Sequence, residues 1–158
     1  MDAHTRHLRF DTELLAGRLL EVTDWLQREP STRKLSLGYF GASTGAAAAL
    51  VAAAERPKAV GAVVSRGGRP DLAGPALPHV QAPSLLIVGG ADYHVIELNR
   101  AALARLECEK NLVIVPGATH LFEEPGTLEE VSKLALNWFV DHLARPVSGR
   151  PTPAHNLF

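Results

Sequence analysis

Four short apolar runs recur along the chain: LSLGYF from Leu35, AVGAVVS from Ala59, SLLIVGG from Ser84 and NLVIVPG from Asn111. Each is apolar almost without interruption rather than alternating, the pattern of a strand covered on both faces, as parallel sheets require. Parallel neighbours need crossover connections, and the intervening stretches supply them. Residues 44–56 are Ala-rich and read as a helix, residues 67–83 are broken by prolines and read as irregular, and VIELNRAALARLE is helical. Ahead of the first run, Leu15, Leu19, Val22 and Leu26 recur at helical spacing, with Asp11 or Thr12 as the cap and Pro30 marking the end. The last helix opens on Thr127 and Glu130, a T-x-x-E capping box, and places Leu128, Val131, Ala135 and Trp138 on one face. This order predicts an α/β fold of about four parallel strands flanked by helices, with right-handed crossovers.

Composition narrows the function classes. A chain of 158 residues is one domain on length, large enough to bury about two-thirds of its unfolded surface. We place that domain at residues 1–145 and a Pro-rich tail, with three prolines in its 13 residues, at 146–158. With 46% hydrophobic and 21% charged residues and a net charge of -1, the chain has no basic stripe for nucleic acid or anionic lipid, so neither is expected as a partner. The single cysteine, Cys108, forms no internal disulfide and reads as a small buried side chain on a helix. No apolar run approaches about 18 residues and the N-terminus has no signal-like core, so a cytoplasmic protein is expected.

The first apolar run ends on GYFGASTG, where Ser43 stands between Gly41 and Gly45. If a strand closes there and a helix opens at Thr44, Ser43 occupies the sharp turn that a G-x-S-x-G nucleophile elbow requires. The plain alternative is a strand-to-helix turn with Ser43 as an N-cap. The other strand ends bear on the choice, because ligands of open parallel sheets bind beyond the carboxyl ends of the strands. After the third run comes GGADYH, with Asp92, and after the fourth PGATHLF, with His120. A hydroxyl, a carboxylate and an imidazole thus leave one edge in the chain order Ser, Asp, His.

The residue types suit acyl transfer. Serine is a weak nucleophile until a base takes its proton, imidazole serves as that base near neutrality, and a carboxylate fixes the imidazole tautomer. Asp92 has an alternative as a turn residue, with Glu97 one helical turn further on, and His120 as a solvated loop histidine. The remaining histidines show no metal-ligand spacing; His94 reads as loop and the others as surface. Arg66 and Arg69 flank a glycine pair and are expected to pair with Asp71.

Together GYFGASTGAAAAL, VVSRGGRPDL, LLIVGGAD and VPGATHLFEEPGTLEEV resemble the dienelactone-hydrolase-like branch of the α/β-hydrolases, over about residues 9–143. The resemblance implies Ser43 as nucleophile, Asp92 as acid, His120 as base and the Thr44 N–H as an oxyanion donor, with no metal or organic cofactor. Dienelactone hydrolase uses cysteine as its nucleophile, so Ser43 points toward general esters. Full members of that family carry further strands before the elbow, so the resemblance implies a reduced, N-terminally truncated α/β-hydrolase fold lacking the N-terminal half of the sheet. The loop that supplies their second oxyanion donor is not recognisable, and one missing donor costs about 100- to 1,000-fold in rate. The segment MDAHTRHLRF, expected ahead of the first helix and near the carboxyl edge, could offer main-chain and side-chain donors instead.

The expected function is a serine carboxylesterase acting on small acyl esters through an acyl-enzyme intermediate. The rivals are a non-catalytic hydrolase remnant serving as an interaction module, and a phosphate-binding domain using the GASTG loop. Without further strands beside it, Leu35–Phe40 would be a bare sheet edge, so a homodimer or larger homo-oligomer covering it is expected.

Overall fold

The computed structural model describes residues 3–143, the side chains of Ala3 and Thr5 apart, and its four apolar runs are strands of one sheet. They are β1 (Leu37–Ala42), β2 (Val60–Arg66), β3 (Ser84–Gly89) and β4 (Lys110–Val115), paired in parallel in the order β1-β2-β3-β4. Helices α1 (Ala3–Arg28), α2 (Thr44–Glu55), α3 (Tyr93–Arg105) and α4 (Thr127–Leu143), with a 3-10 segment over Pro70–His79, complete the chain order. The predicted α/β architecture is the one observed, each strand boundary lying within two residues of its apolar run. The tail expected at 146–158 lies outside the described residues.

Successive strand side chains point to opposite faces, and this sorts the core. Val63 and Leu86 face α2, α3 and the 3-10 segment, where they meet Leu50, Ala53, Ala102 and Leu77. Val64, Leu85 and Ile87 face α4 and meet its Val131 and Ala135. β3 is buried along its whole length, so truncating Leu86 to alanine should cost about 2–5 kcal/mol. β1 closes one edge, where Phe40 lies exposed, and Leu136 and Val140 of α4 are exposed as well. Among the described residues nothing pairs with that edge, as the sequence led us to expect.

Several local expectations are corrected. α1 opens at Ala3 rather than at Asp11 or Thr12; nothing between residues 3 and 11 breaks a helix, and the buried Thr12 hydroxyl donates to the Leu8 carbonyl at 2.8 Å instead of capping. Beyond the first turn, the N–H groups of MDAHTRHLRF are therefore committed to the helix and are not free main-chain donors. The capping box does not form, because the Thr127 hydroxyl donates to the Glu124 carbonyl at 2.7 Å. Cys108 sits between α3 and β4 rather than on a helix, with burial pushing its thiol pKa up, and His94 lies in the first turn of α3 rather than in a loop.

The two motif glycines differ in what they must do. A Cβ on Gly41 would stand 2.5 Å from the Gly45 carbonyl oxygen and 2.7 Å from Ala46 Cα, so β1 and α2 meet backbone to backbone there. A Cβ on Gly45 would meet nothing within 4 Å. Gly41→Ala should therefore destabilise the protein and distort the turn, whereas Gly45→Ala should leave stability unchanged or raise it by about 0.5–1 kcal/mol. Thermal melts of the two variants check this, and equal losses would contradict it.

Candidate active site

Parallel pairing delivers the ends of β1 to β4 to one edge, and the residues singled out by sequence sit there. Ser43 separates β1 from α2 with φ 51 and ψ −128, a conformation that L-residues rarely adopt. Such a residue costs on the order of 1–3 kcal/mol unless its surroundings hold it. They do: the Ser43 carbonyl accepts N–H bonds from Ala46 at 3.2 Å and Arg69 at 3.0 Å. Its side chain makes no capping hydrogen bond and is exposed, which sets aside the N-cap reading. Thr44 follows as the first residue of α2, so its N–H is one of the helix-terminal donors without an intrahelical partner.

Asp92 and His120 are brought together. Asp92 precedes α3 but does not cap it; its Oδ2 lies 2.7 Å from His120 Nδ1. This leaves Nε2 as the free nitrogen of the ring. The approach depends on two backbone ties between the β3 and β4 ends, from the Gly90 N–H to the Val115 carbonyl at 2.8 Å and from the Ala91 N–H to the Ala118 carbonyl at 3.0 Å. Asp92 is 16% exposed and His120 44%, so the pair is sheltered on the carboxylate side and open on the imidazole side. Glu97, the alternative partner, pairs with Arg100 at 2.6 Å on the exposed face of α3.

The loops around this pair carry features that no motif announced. Gly67, with φ 51, lies against the His120 ring, its Cβ position 3.6 Å from Nδ1. Arg69 pairs in two-pronged fashion with Asp71 at 2.9 and 2.8 Å, as predicted, while Arg66 instead stands 5.5 Å over the Phe122 ring. Glu124 clamps the turn that carries His120, accepting from the Thr119 N–H at 3.1 Å and the Thr119 hydroxyl at 2.6 Å. These bonds, the Thr119 hydroxyl first, hold the Glu124 carboxyl below the usual carboxylate range. The turn ends on Phe122, buried and at φ 55. Only the short separation of Thr119 and Glu124 could have hinted at the clamp from sequence. Among the described residues no group of three or more His, Cys, Asp and Glu is placed to hold a metal ion, and no helix is long and apolar enough to cross a membrane.

Comparison with known proteins extends this picture. The model of the dienelactone hydrolase family matches residues 3–143. Two curated Mycobacterium tuberculosis proteins, from strains CDC 1551 and H37Rv and provisionally named phosphoribosyl transferases, are 64% identical over 137 residues; the match covers 87% of this chain and 31% of theirs. The chain thus spans about a third of their length. The crystal structure of a dienelactone hydrolase from Anabaena variabilis is 64% identical, with a TM-score of 0.84 over 90% of this chain and 66% of that one. A Paleococcus ferrophilus monoacylglycerol lipase at 19% identity has a TM-score of 0.67, covering 83% of this chain and 76% of its own, and shares the fold.

The Glu124 clamp has a pH signature. Its folded-state pKa is depressed, so its contribution is complete above the ordinary value of 4.5 and is lost as pH falls through the lower folded value. Glu124→Ala should therefore melt below the wild type at pH 6, and the gap should close in acid below 4.5. A gap that persists unchanged at about pH 3 would contradict the clamp.

Proposed function

Because the chain belongs to the dienelactone hydrolase family, an α/β-hydrolase family, we propose that it is a serine carboxylesterase acting on small acyl esters. The observation that carries this reading is the short contact between Asp92 Oδ2 and His120 Nδ1 at 2.7 Å, at the sheet edge where Ser43 is held in a strained, exposed turn. His120 Nε2 takes the Ser43 proton as Oγ attacks the ester carbonyl carbon, and the Thr44 N–H receives the developing oxyanion. The C–O bond then breaks, and the imidazolium returns its proton to the departing alcohol. Water, deprotonated by the same nitrogen, attacks the acyl-Ser43 carbonyl, releasing the carboxylic acid and restoring the serine. Asp92 keeps the Nδ1–H tautomer and supports the transient imidazolium. Ester rather than amide substrates suit a site with one identified oxyanion donor, since esters need less transition-state stabilisation.

Two other readings stay in view. Phosphoribosyl transfer follows from the name of the mycobacterial relatives, but that name belongs to whole proteins of which this chain matches 31%. A non-catalytic interaction module would keep the fold without turnover. Calorimetric binding of a phosphoribosyl diphosphate would favour the first, and the absence of any serine-dependent turnover the second.

Ser43→Ala and His120→Ala should each reduce hydrolysis of a short-chain nitrophenyl ester to background with the fold intact. Ser43→Gly should also be inactive yet more stable by about 1 kcal/mol, because glycine relieves the positive φ. Turnover surviving in Ser43→Ala would end the assignment.

The proposal extends to assembly: a second copy of the chain covers the open edge of β1. Identical apolar strips meeting across a two-fold axis are self-complementary, so Phe40, Leu136 and Val140 can pack on their own symmetry mates while the unpaired β1 backbone gains partners. Light scattering at micromolar concentration should give a dimer or larger species that Leu136→Asp shifts toward the monomer. A monodisperse wild-type monomer would contradict it.

A further inference from the structure

The loop Gly67–Arg69 touches three parts of the site with three successive residues. Gly67 lies against the His120 ring, its Cβ position 3.6 Å from both Nδ1 and Cε1. The Arg69 N–H holds the Ser43 carbonyl at 3.0 Å. Gly68, between them, is wedged so tightly that a Cβ would stand 2.1 Å from Ser65 Oγ and 2.5 Å from Ala46 Cβ. Its carbonyl accepts a hydrogen bond from Asn99 Nδ2 at 3.0 Å. Asn99 belongs to α3 and follows Asp92 by two helical turns, on the same face of the helix that the acid precedes. It is wholly buried, and its Nδ2 also donates to the Val95 carbonyl at 2.8 Å.

The amide at this place is only half satisfied: its donor is used and its acceptor is not. Asn99 Oδ1 is buried with no hydrogen-bond partner among the described residues. An orphaned buried acceptor is costly, and an apolar residue of similar shape would remove that one only by leaving the Gly68 carbonyl without its donor. We propose that Asn99 is a positioning residue of the active site: by tying α3 to the middle of the Gly67–Arg69 loop, it sets the Asp92–His120 pair against the Ser43 turn. The proposal rests on the esterase reading of that site.

Asn99→Leu keeps the branched side-chain shape and removes the donor. The variant should stay folded, with kcat on a small ester lowered roughly 10- to 100-fold and KM little changed, the pattern of displaced catalytic groups. The imidazole resonances of His120, followed by NMR, should move as its bond to Asp92 loosens. Asn99→Asp supplies a second arm, since a carboxyl group donates to the Gly68 carbonyl only while protonated. Its turnover should fall on the alkaline side, where the wild type holds its rate. A folded Asn99→Leu with wild-type kcat and unmoved His120 resonances overturns the proposal. If Asn99→Leu does not fold, an Asn99→Asp profile parallel to the wild type overturns it instead. If the wild type turns over no ester, the esterase reading fails, and the His120 resonances alone then decide the role of Asn99.

Discussion

Parallel strand pairing obliges the chain to return to the same end of the sheet before each new strand, so every strand-to-helix loop opens on one edge. With β1 to β4 side by side in chain order, the segments after them necessarily become neighbours: Ser43, then Gly67–Arg69, then Asp92, then His120. What the topology leaves open is their spacing, and backbone contacts fix that. A Cβ on Gly41, Gly68 or Gly89 would stand 2.5 Å or less from its nearest neighbour, the Gly45 carbonyl, Ser65 Oγ and the Ala118 carbonyl respectively. The loops are seated on one another, backbone on backbone at Gly41 and Gly89 and backbone on the Ser65 and Ala46 side chains at Gly68, and such seating leaves little freedom for the groups they carry.

The same edge is where the fold gives up stability. Ser43 and Phe122 both sit at positive φ, and the two buried side-chain atoms without a partner among the described residues, Ser65 Oγ and Asn99 Oδ1, belong to residues that meet Gly68. Away from it the molecule follows ordinary rules: buried aliphatic strands, an Ala-rich helix lying close on the sheet, and the exposed ion pair of Asp24 with Arg56. Local violations gathered at one place, in a chain otherwise consistent, are the physical mark of a site.

Most of the architecture was legible because apolar runs of strand length can be satisfied in few ways. The placement of Ser43, Asp92 and His120 at one sheet edge was legible because their strand ends could be counted, and the contact between Asp92 and His120 follows from β3 and β4 being neighbours. The start of α1 was misjudged because Thr12 resembles a cap, although a threonine can equally bond back to the carbonyl four residues earlier. Asn99 was not legible at all, and Glu124 only through its short separation from Thr119. Each acts through a contact with a loop of no fixed period, one across 31 residues and the other within a turn. Nothing in local composition distinguishes such residues from surface polar groups before the chain is folded.

The account turns on whether Ser43 is an activated nucleophile. Incubating the folded protein with a fluorophosphonate and measuring its intact mass and peptide map tests this directly. The prediction is one stoichiometric adduct on the peptide carrying Ser43, absent in His120→Ala because the base is gone. An unmodified protein, or an adduct on another residue, would contradict it.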